Sequence, residues 1–200
     1  MKSENMQAVR ERLGKSSVGI AGIGGLGSNV AMALARSGVG RLVVADHDCV
    51  EESNLNRQAY FMDQVGMRKT EALIQNINLA NPETDVTAYH RRLEAGSMAE
   101  IFSGVDVIIE ALDDAGTKAA FIEEVSQAYP EKPIIAASGV AGIHGAERIC
   151  VKRMGKITIV QDEKARSCDD APVLAPKVGA FAHIQASLAL EILTEGLDVD

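Results

Sequence analysis

The first segment that could bind a ligand is a run of glycines between an apolar segment and an amphipathic one. It reads Gly22-Ile23-Gly24-Gly25-Leu26-Gly27 and follows the apolar residues 17–21. Glycines permit a tight turn, and the amides at the start of a helix favour a phosphate group. Asp46 ends the next apolar run and can accept hydrogen bonds from ribose hydroxyls. The pattern predicts a nucleotide site; the alternative is a turn that serves only helix packing.

Charged side chains further along indicate which nucleotide is bound. Arg57 can form a bidentate phosphate clamp, and Lys69 supplies a point charge. Asp113 lies just past a predicted strand, at the edge where open α/β sheets bind ligands. These three side chains suit a Mg²⁺-bound triphosphate, with the Asp holding the metal and the cations neutralising the departing phosphates. A hydride-transfer enzyme has no such need.

Short apolar runs alternate with amphipathic segments and so predict the elements that position these residues. We expect strands at 17–21, 41–46, 85–89, 105–111 and 133–137, with helices at 26–36, 70–79 and 118–128. The alternation predicts a Rossmann-like, doubly wound, mostly parallel α/β sheet. Beyond it we expect an antiparallel hairpin (147–152 and 156–160), a mobile charged loop (161–170) and a long final helix (178–192). No linker divides the chain, so we expect a single domain, 1–200.

The composition is that of a globular protein without affinity for polyanions. The 200 residues include 28 Asp and Glu against 20 Lys and Arg, a formal net charge of −8. Non-specific nucleic-acid binding needs clustered positive charge, so we expect no nucleic-acid partner. Segment 16–35 carries no charge, but its glycines and its change of period fit a strand, a turn and a helix. We therefore expect no membrane partner.

The three cysteines, Cys49, Cys150 and Cys168, lie far apart and form no Cys-x-x-Cys pair. An odd count in a chain of this size, with no signal peptide in residues 1–15, indicates a reducing compartment, so we expect a cytoplasmic protein. Cys49 and Cys150 are interpreted as small buried apolar residues. Cys168 falls in the charged loop.

At these motifs the sequence resembles the ThiF/MoeB/HesA family of ubiquitin-activating-enzyme-like adenylyltransferases, closest to a compact ThiF subtype. The matching pieces are GIGGLGSN at 22–29, DHDCVEESNLNRQ at 46–58, VGMRKTEAL at 65–73, EALDD at 110–114 and LAPKVGAFAHIQASLALEIL at 174–193. They stand in family order over nearly the whole chain after about residue 10. The resemblance implies that Mg·ATP adenylates the C-terminal glycine of a small ubiquitin-like sulfur carrier, here ThiS-like and serving thiamine synthesis, with release of pyrophosphate.

The resemblance also implies roles for single residues. Those implied to bind the nucleotide are Gly22, Gly24, Gly25, Gly27, Asp46, Ser53, Asn54, Arg57, Lys69, Asp113 and Asp114. Among them Arg57, Lys69 and Asp113 would be catalytic, and Asp113 would hold Mg²⁺. The attacking carboxylate is already ionised, so no general base is required, and the four histidines are expected to be structural or surface residues.

The sequence departs from many relatives in its cysteines and its N-terminus. Two Cys-x-x-Cys pairs hold a structural zinc in those relatives, and three scattered cysteines cannot, so no structural zinc is expected. In a homodimer the family's arginine finger comes from the partner's N-terminal segment. Arg10 and Arg12 are the candidates, and each is equally well a solvated charge on an N-terminal helix. Cys168 is either a sulfur-handling residue or an incidental thiol.

Three other functions compete with this interpretation. An ATP-dependent cyclase acting on threonylcarbamoyladenosine of tRNA would share the motifs, but it needs a basic face, which the charge of −8 disfavours. An NAD-dependent oxidoreductase would need a substrate domain, for which little chain is left. A non-catalytic half of a heterodimer typically loses the Arg or the Asp, and Arg57, Lys69 and Asp113 are all present.

Overall fold

The computed structural model describes residues 2–197, with side chains from residue 5 onward. Its strands are β1 (Ser17–Ala21), β2 (Arg41–Asp46), β3 (Asp85–His90), β4 (Val107–Glu110), β5 (Ile134–Ser138), β6 (Cys150–Met154) and β7 (Ile157–Gln161). They form one sheet in the order β3-β2-β1-β4-β5-β7-β6. Each neighbouring pair is parallel except β6 and β7, which are antiparallel. The mostly parallel sheet with a C-terminal hairpin is therefore confirmed.

Helices cover both faces of this sheet. They are α1 (Lys2–Gly14), α2 (Gly25–Arg36), α3 (Lys69–Ala80), α4 (Ala115–Ala128) and α5 (Ala175–Leu193). Side chains alternate along a strand, so Leu42 and Val44 of β2 join α2, α3 and α5 in one core. Val43 and Ala45 join Phe121 of α4 in a second core on the opposite face. The central strands β1, β2, β4 and β5 are buried on both faces and mostly apolar, as parallel strands in α/β folds generally are.

Several predicted boundaries differ from the structure, because side-chain hydrogen bonds or short turns decide where the elements begin. β4 begins at Val107 rather than at 105, since the Asp106 carboxylate turns back to accept from the amide and hydroxyl of Ser17. α4 begins at Ala115, three residues before the predicted start, because Asp114 caps it. The hairpin strand β6 begins at Cys150, since residues 146–148 form a 3₁₀ turn.

The predicted mobile loop at 161–170 is wrong at its start. Gln161 ends β7, so the irregular segment begins at Asp162, one residue after the predicted start. The side chain of Asp162 is fully buried in ion pairs.

The interpretation of Cys49 and Cys150 as buried is also wrong, since both thiols are exposed. Cys150 starts the edge strand β6, all five residues of which are exposed, and Cys49 lies in the polar segment after β2.

Within residues 2–197, no helix is long and apolar enough to cross a bilayer.

The order of the strands locates the ligand crevice. β1 lies between β2 and β4, and the connections from β1 and β4 leave in opposite directions. Open α/β sheets bind ligands at such a switch point, beyond the carboxyl ends of the strands.

Candidate nucleotide site

The glycine-rich turn joins β1 to α2 at the switch point. Gly22 has φ +83°, and a Cβ there would lie 2.9 Å from the carbonyl oxygen of Ala111 on the neighbouring strand end. A Cβ on Gly27 would lie 1.9 Å from the carbonyl oxygen of Gly22, so α2 can start this close to the turn only with glycine. Gly24 precedes the helix and provides no side-chain cap, so the first amides of α2 have no capping side chain as a partner.

Asp46, at the end of β2, holds this turn in place. One carboxylate oxygen accepts from the amide of Ile23 at 2.8 Å, and the other accepts from the amide of Asp48 at 2.9 Å. The side chain is almost completely buried. Each oxygen retains a further acceptor position, so the predicted bond to a ribose hydroxyl remains compatible with the geometry. Asp46 thus has a structural role that the sequence analysis did not anticipate.

Three polar residues that the sequence analysis passed over complete the turn. Ser28 donates to the carbonyl of Gly24 and accepts from the amide of Ala59. Asn29 donates to the carbonyls of Gly25 and Arg57. The buried hydroxyl of Tyr60 donates to the carbonyl of Ile23 at 2.7 Å. The signal that could have identified Ser28 and Asn29 is their place in the first turn of α2, where polar side chains face the backbone of the following segment.

Arg57 lies directly beside the first residue of α2. A Cβ on Gly25 would lie 3.6 Å from Cγ of Arg57. The guanidinium donates to the carbonyl of Ser53 and to Oδ1 of Asn56, which orients it along the polar segment. Gly25 and Arg57 therefore share one location, as a phosphate site requires.

Ser53 and Asn54, the other predicted phosphate contacts, lie in a 3₁₀ turn at residues 52–54. Their side chains interact mainly with the backbone and carboxylate of Glu51. The structure places them one turn from Arg57 and shows them shaping the segment; direct phosphate contact stays a prediction.

Lys69 begins α3 with a buried side chain, and its ammonium donates to Oδ2 of Asp48 at 2.6 Å. Partial burial raises the pKa of Asp48, but the hydrogen bond and the charge of Lys69 outweigh it and lower that pKa overall. The Asp48 interaction uses one of the three N–H donors of the ammonium. Asp48 is a site residue that the sequence analysis missed, although it lies only two positions after Asp46.

Asp113 and Asp114 differ although they are adjacent in the turn after β4. Asp114 caps α4: one oxygen accepts from the amide and the hydroxyl of Thr117, each at 2.7 Å, and this interaction lowers the pKa of Asp114. Across residues 2–197 the carboxylate of Asp113 has no hydrogen bond or ion pair, and it is exposed. The capping role therefore belongs to Asp114, and Asp113 is free to bind a ligand.

An ion pair whose acid, Glu110, is fully buried supports the turn that carries Asp113. Glu110 accepts from the ammonium of Lys118 with both oxygens and from the amide of Leu112 at 2.8 Å. Burial raises the pKa of Glu110, and Lys118 opposes that shift. Arg92, from the segment after β3, is the smallest of the causes that lower the pKa of Asp48 and of Asp114.

Gln58 is buried beside the glycine-rich turn. Its Oε1 has no hydrogen-bond partner among the described residues, and its Nε2 lies 3.8 Å from the position of a Cβ on Gly24. A buried amide oxygen without a donor indicates that a ligand or water supplies one. Gln58 ends the polar motif at 46–58, and no role for it was expected from the sequence.

The remaining candidates lie on the surface. Arg10 and Arg12 are exposed on α1, and Cys168 is exposed in the segment before α5. The four histidines are also exposed, in line with the expectation of surface residues; they are His47, His90, His144 and His183.

The donor set fits a magnesium-bound nucleoside triphosphate. Three kinds of group can donate hydrogen bonds to phosphate oxygens: the amides of α2, the guanidinium of Arg57 and the ammonium of Lys69. The free carboxylate of Asp113 is an oxygen ligand of the kind that Mg²⁺ prefers. The orphaned Oε1 of Gln58 would accept from a hydroxyl, an amino group or a metal-bound water.

Known proteins with similar sequences are adenylyltransferases and activating enzymes. The chain is 32% identical to the sulfur carrier protein ThiS adenylyltransferase of Escherichia coli over 196 residues, which span 92% of the chain and 75% of that protein. It is 32% identical to the SAMP-activating enzyme of Haloferax volcanii, of which it covers 69%. It is 29% identical to an adenylyltransferase and sulfurtransferase of Vanderwaltozyma polyspora, but spans only 43% of that longer protein.

Solved structures give the same fold. The tRNA threonylcarbamoyladenosine dehydratase TcdA of E. coli, in complex with AMP, superposes with a TM-score of 0.86 at 23% identity, over 96% of this chain and 93% of that one. MccB of E. coli with ATP superposes with a TM-score of 0.74 at 22% identity, over 92% of this chain and 57% of that one. The model of the ThiF family matches residues 3–198. The chain therefore belongs to the ThiF family.

Proposed function

We propose that the protein is an ATP-dependent adenylyltransferase that activates the C-terminal glycine of a ThiS-like, ubiquitin-like sulfur carrier. We further propose that the 200 residues act as one adenylyltransferase domain in a cytoplasmic homodimer, without structural zinc. The observations that support the proposal are the close approach of Arg57 to Gly25 and the unpaired carboxylate of Asp113 after β4, the strand beside β1 at the switch point. The 32% identity with the ThiS adenylyltransferase of E. coli supports the choice of carrier.

The proposed reaction joins a carboxylate oxygen of the carrier's last glycine to the α-phosphorus of ATP. The bond between that phosphorus and the bridging oxygen of pyrophosphate breaks, so the products are an acyl-adenylate and pyrophosphate. No proton has to be removed, because the carboxylate is ionised at neutral pH. The protein must therefore align two anions and stabilise the charge that moves onto the leaving group.

The chain's own residues suit this task. Arg57 would bind phosphate oxygens beside the amides of α2, and Lys69 would direct its two remaining N–H donors toward the same charge. Asp113 would hold Mg²⁺, which supplies Lewis-acid stabilisation of phosphate charge when bound. Asp46 would keep the glycine-rich turn open while it accepts from the ribose.

The competing functions require other features. A dinucleotide has no leaving pyrophosphate, so the paired cations Arg57 and Lys69 would have no clear role in hydride transfer. The likeness to TcdA is one of fold at 23% identity, and the net charge of −8 disfavours a tRNA substrate.

ATP–pyrophosphate exchange tests the proposal directly. The full chain is incubated with ATP, Mg²⁺, radiolabelled pyrophosphate and a purified ThiS-like carrier, and label entering ATP is measured. We expect exchange with this carrier and none with the same carrier lacking its last glycine, because the reacting carboxylate is then displaced. A MoaD-like carrier run in parallel identifies the preferred partner.

Two results would contradict the proposal. Exchange with neither carrier, together with ATP hydrolysis that depends on tRNA containing threonylcarbamoyladenosine, would favour the cyclase. Calorimetry that finds micromolar affinity for NAD and none for Mg·ATP would exclude an adenylyltransferase while leaving the fold unchanged.

A further inference from the structure

A buried group of charges lies outside the nucleotide-binding motifs. Arg148, Asp162 and Lys177, here called the charge cluster, come from the loop after β5, the end of β7 and the first turn of α5. The Asp162 side chain is 0% exposed, that of Lys177 is 6% exposed and that of Arg148 is 33% exposed. Two cations surround the one buried acid, and Arg148 also pairs with the exposed Glu147 at 3.5 Å. Placing such charges away from water is costly unless every partner is supplied.

Every partner is supplied. Arg148 donates to both oxygens of Asp162, each at 3.0 Å, and Lys177 donates to Oδ2 at 2.9 Å. The amide of Lys164 fills the fourth acceptor position of the carboxylate. Lys177 directs its other donors to the carbonyls of Ala141, at 2.8 Å, and His144, at 3.4 Å. The charge cluster is thus a complete polar network that joins three segments.

The charge cluster closes one long irregular segment at both ends. Residues 163–174, here called the strap, begin directly after Asp162 and end just before α5, whose third residue is Lys177. At the far end the carbonyl of Pro172 accepts from the amide of Gly142 at 2.8 Å. The Asp162–Lys177 ion pair therefore ties the strap's two ends together, and it offsets the entropic cost of closing the loop.

The first turn of α5, where the strap ends, also contacts the candidate nucleotide site. The amide of Ala175 donates to the carbonyl of Asn56, whose side chain accepts from Arg57. Val178, the residue after Lys177, lies 3.3 Å from the position of a Cβ on Gly25. A shift in the first turn of α5 would therefore move the neighbours of both Gly25 and Arg57.

We propose that the charge cluster is a positioning device, which closes the strap and thereby holds the first turn of α5 against Gly25 and the Arg57 segment. The identity of the positioned site rests on the proposed function. The charge cluster itself touches no reacting atom. Its contribution to the reaction is the alignment of Arg57, which matters because small displacements of a charge stabiliser are costly in the transition state.

Limited proteolysis tests the closure of the strap without reference to activity. Trypsin can cut the strap after the exposed Lys164 and Arg166, and Lys156, exposed in the turn between β6 and β7, is an internal reference site. In Lys177→Met we expect strap cleavage, relative to Lys156, to rise about tenfold, because cleavage follows the population of open strap. Asp162→Asn provides a second, milder variant in case Lys177→Met does not fold.

Lys152→Met is the matched control. Lys152 pairs with Glu163, the first residue of the strap, but both side chains are more than half exposed. Exposed ion pairs contribute little, so we expect the cleavage ratio to stay within about twofold of the wild-type ratio.

Exchange kinetics test the positioning. In folded Lys177→Met or Asp162→Asn protein we expect kcat for ATP–pyrophosphate exchange to fall about tenfold or more, while the Kd of ATP changes little. A role in stability alone would change neither quantity in the folded fraction.

The outcomes are separable. An unchanged cleavage ratio in both folded variants would overturn the closure of the strap. Faster cleavage with a wild-type kcat would overturn the positioning. If the wild-type protein exchanges with no carrier, the proposed function fails, and the cleavage ratio still decides whether the charge cluster closes the strap.

Discussion

The carboxylate of Asp46 accepts a hydrogen bond from the backbone amide of Ile23 at 2.8 Å, so the last residue of β2 holds the turn that follows β1. Its second oxygen accepts from the amide of Asp48, which in turn pairs with Lys69. One acid thereby connects the glycine-rich turn to the start of α3. The candidate site is a linked set of backbone segments as well as a set of side chains.

Replacing Asp46 with Asn should loosen this connection. The amide group of Asn can accept with one atom only, so either Ile23 or Asp48 loses its partner. Leaving a buried amide unpaired costs about 1–3 kcal/mol in the free energy of unfolding. We also expect weaker ATP binding, measured by calorimetry.

Asp106→Asn is the control for this change, since Asp106 accepts from Ser17 with a single oxygen at the opposite end of β1. Its ATP affinity should match the wild type. If Asp46→Asn binds ATP as tightly as the wild type, the assignment of Asp46 to the nucleotide site is wrong.

Asp113→Asn should nearly abolish exchange while leaving ATP binding almost unchanged. The substitution keeps the size of the side chain but removes the charge that would hold the metal in the transition state. Loss of such a stabiliser commonly lowers the rate on the order of 10²–10³-fold. The measurement is exchange with the preferred carrier, beside calorimetry of Mg·ATP.

Asp114→Asn is the adjacent control. Asp114 caps α4 through Thr117, and Asn caps helices as well as Asp does, so both stability and exchange should be near wild-type. Near-normal exchange by folded Asp113→Asn protein would remove Asp113 from the catalytic set.

Exchange by mixed dimers should reveal whether an arginine of α1 acts across a dimer. Arg10 and Arg12 are exposed and lie shortly before β1. A chain with both arginines replaced by alanine keeps Asp113, whereas an Asp113→Asn chain keeps both arginines. In a mixed dimer the first chain's site receives the second chain's arginine, so exchange should rise above that of either parent. If mixed dimers form, as shown by co-purification of tagged chains, without any gain, the arginine does not act in trans.

The Asp162 carboxylate should make stability sensitive to acid. Hydrogen bonds from Arg148, together with the hydrogen bond and the charge of Lys177, hold the pKa of Asp162 far below its usual value. Burial raises this pKa, but the two cations outweigh it. The pKa of Asp162 is lower in the folded state than in the unfolded state, where it is about 3.9, so the ionised carboxylate stabilises the folded protein above that pH. This stabilisation is lost as the pH falls toward the folded-state pKa. Urea unfolding should therefore show a steeper loss below about pH 4 in the wild type than in Asp162→Asn. The exposed Asp170→Asn serves as control, and equal acid slopes in Asp162→Asn and wild type would contradict the linkage.

Local sequence patterns predicted much of the fold. The apolar runs at 17–21, 41–46, 105–111 and 133–137 form the buried central strands, and the glycine-rich turn lies where its spacing places it, because strand and helix periods depend on neighbouring residues alone. Predicted boundaries failed for two reasons. A local cap by Asp114 decides where α4 begins, whereas the start of β4 involves a bond from Ser17 to Asp106, 89 positions away in the chain.

The sequence by itself determined the doubly wound sheet and the identity of Arg57, Lys69 and Asp113 as candidates, since motif and periodicity are local properties; the switch point follows from the strand order, which only the tertiary structure shows. Tertiary structure alone decided which acid is free and which is engaged: Asp114 caps α4, Asp48 pairs with Lys69, and Asp113 has no partner among the described residues. It alone also revealed the charge cluster, whose members stand 14 to 29 positions apart in the chain. Charged residues in such a sequence give no sign of burial, because burial depends on which segments the fold brings against them.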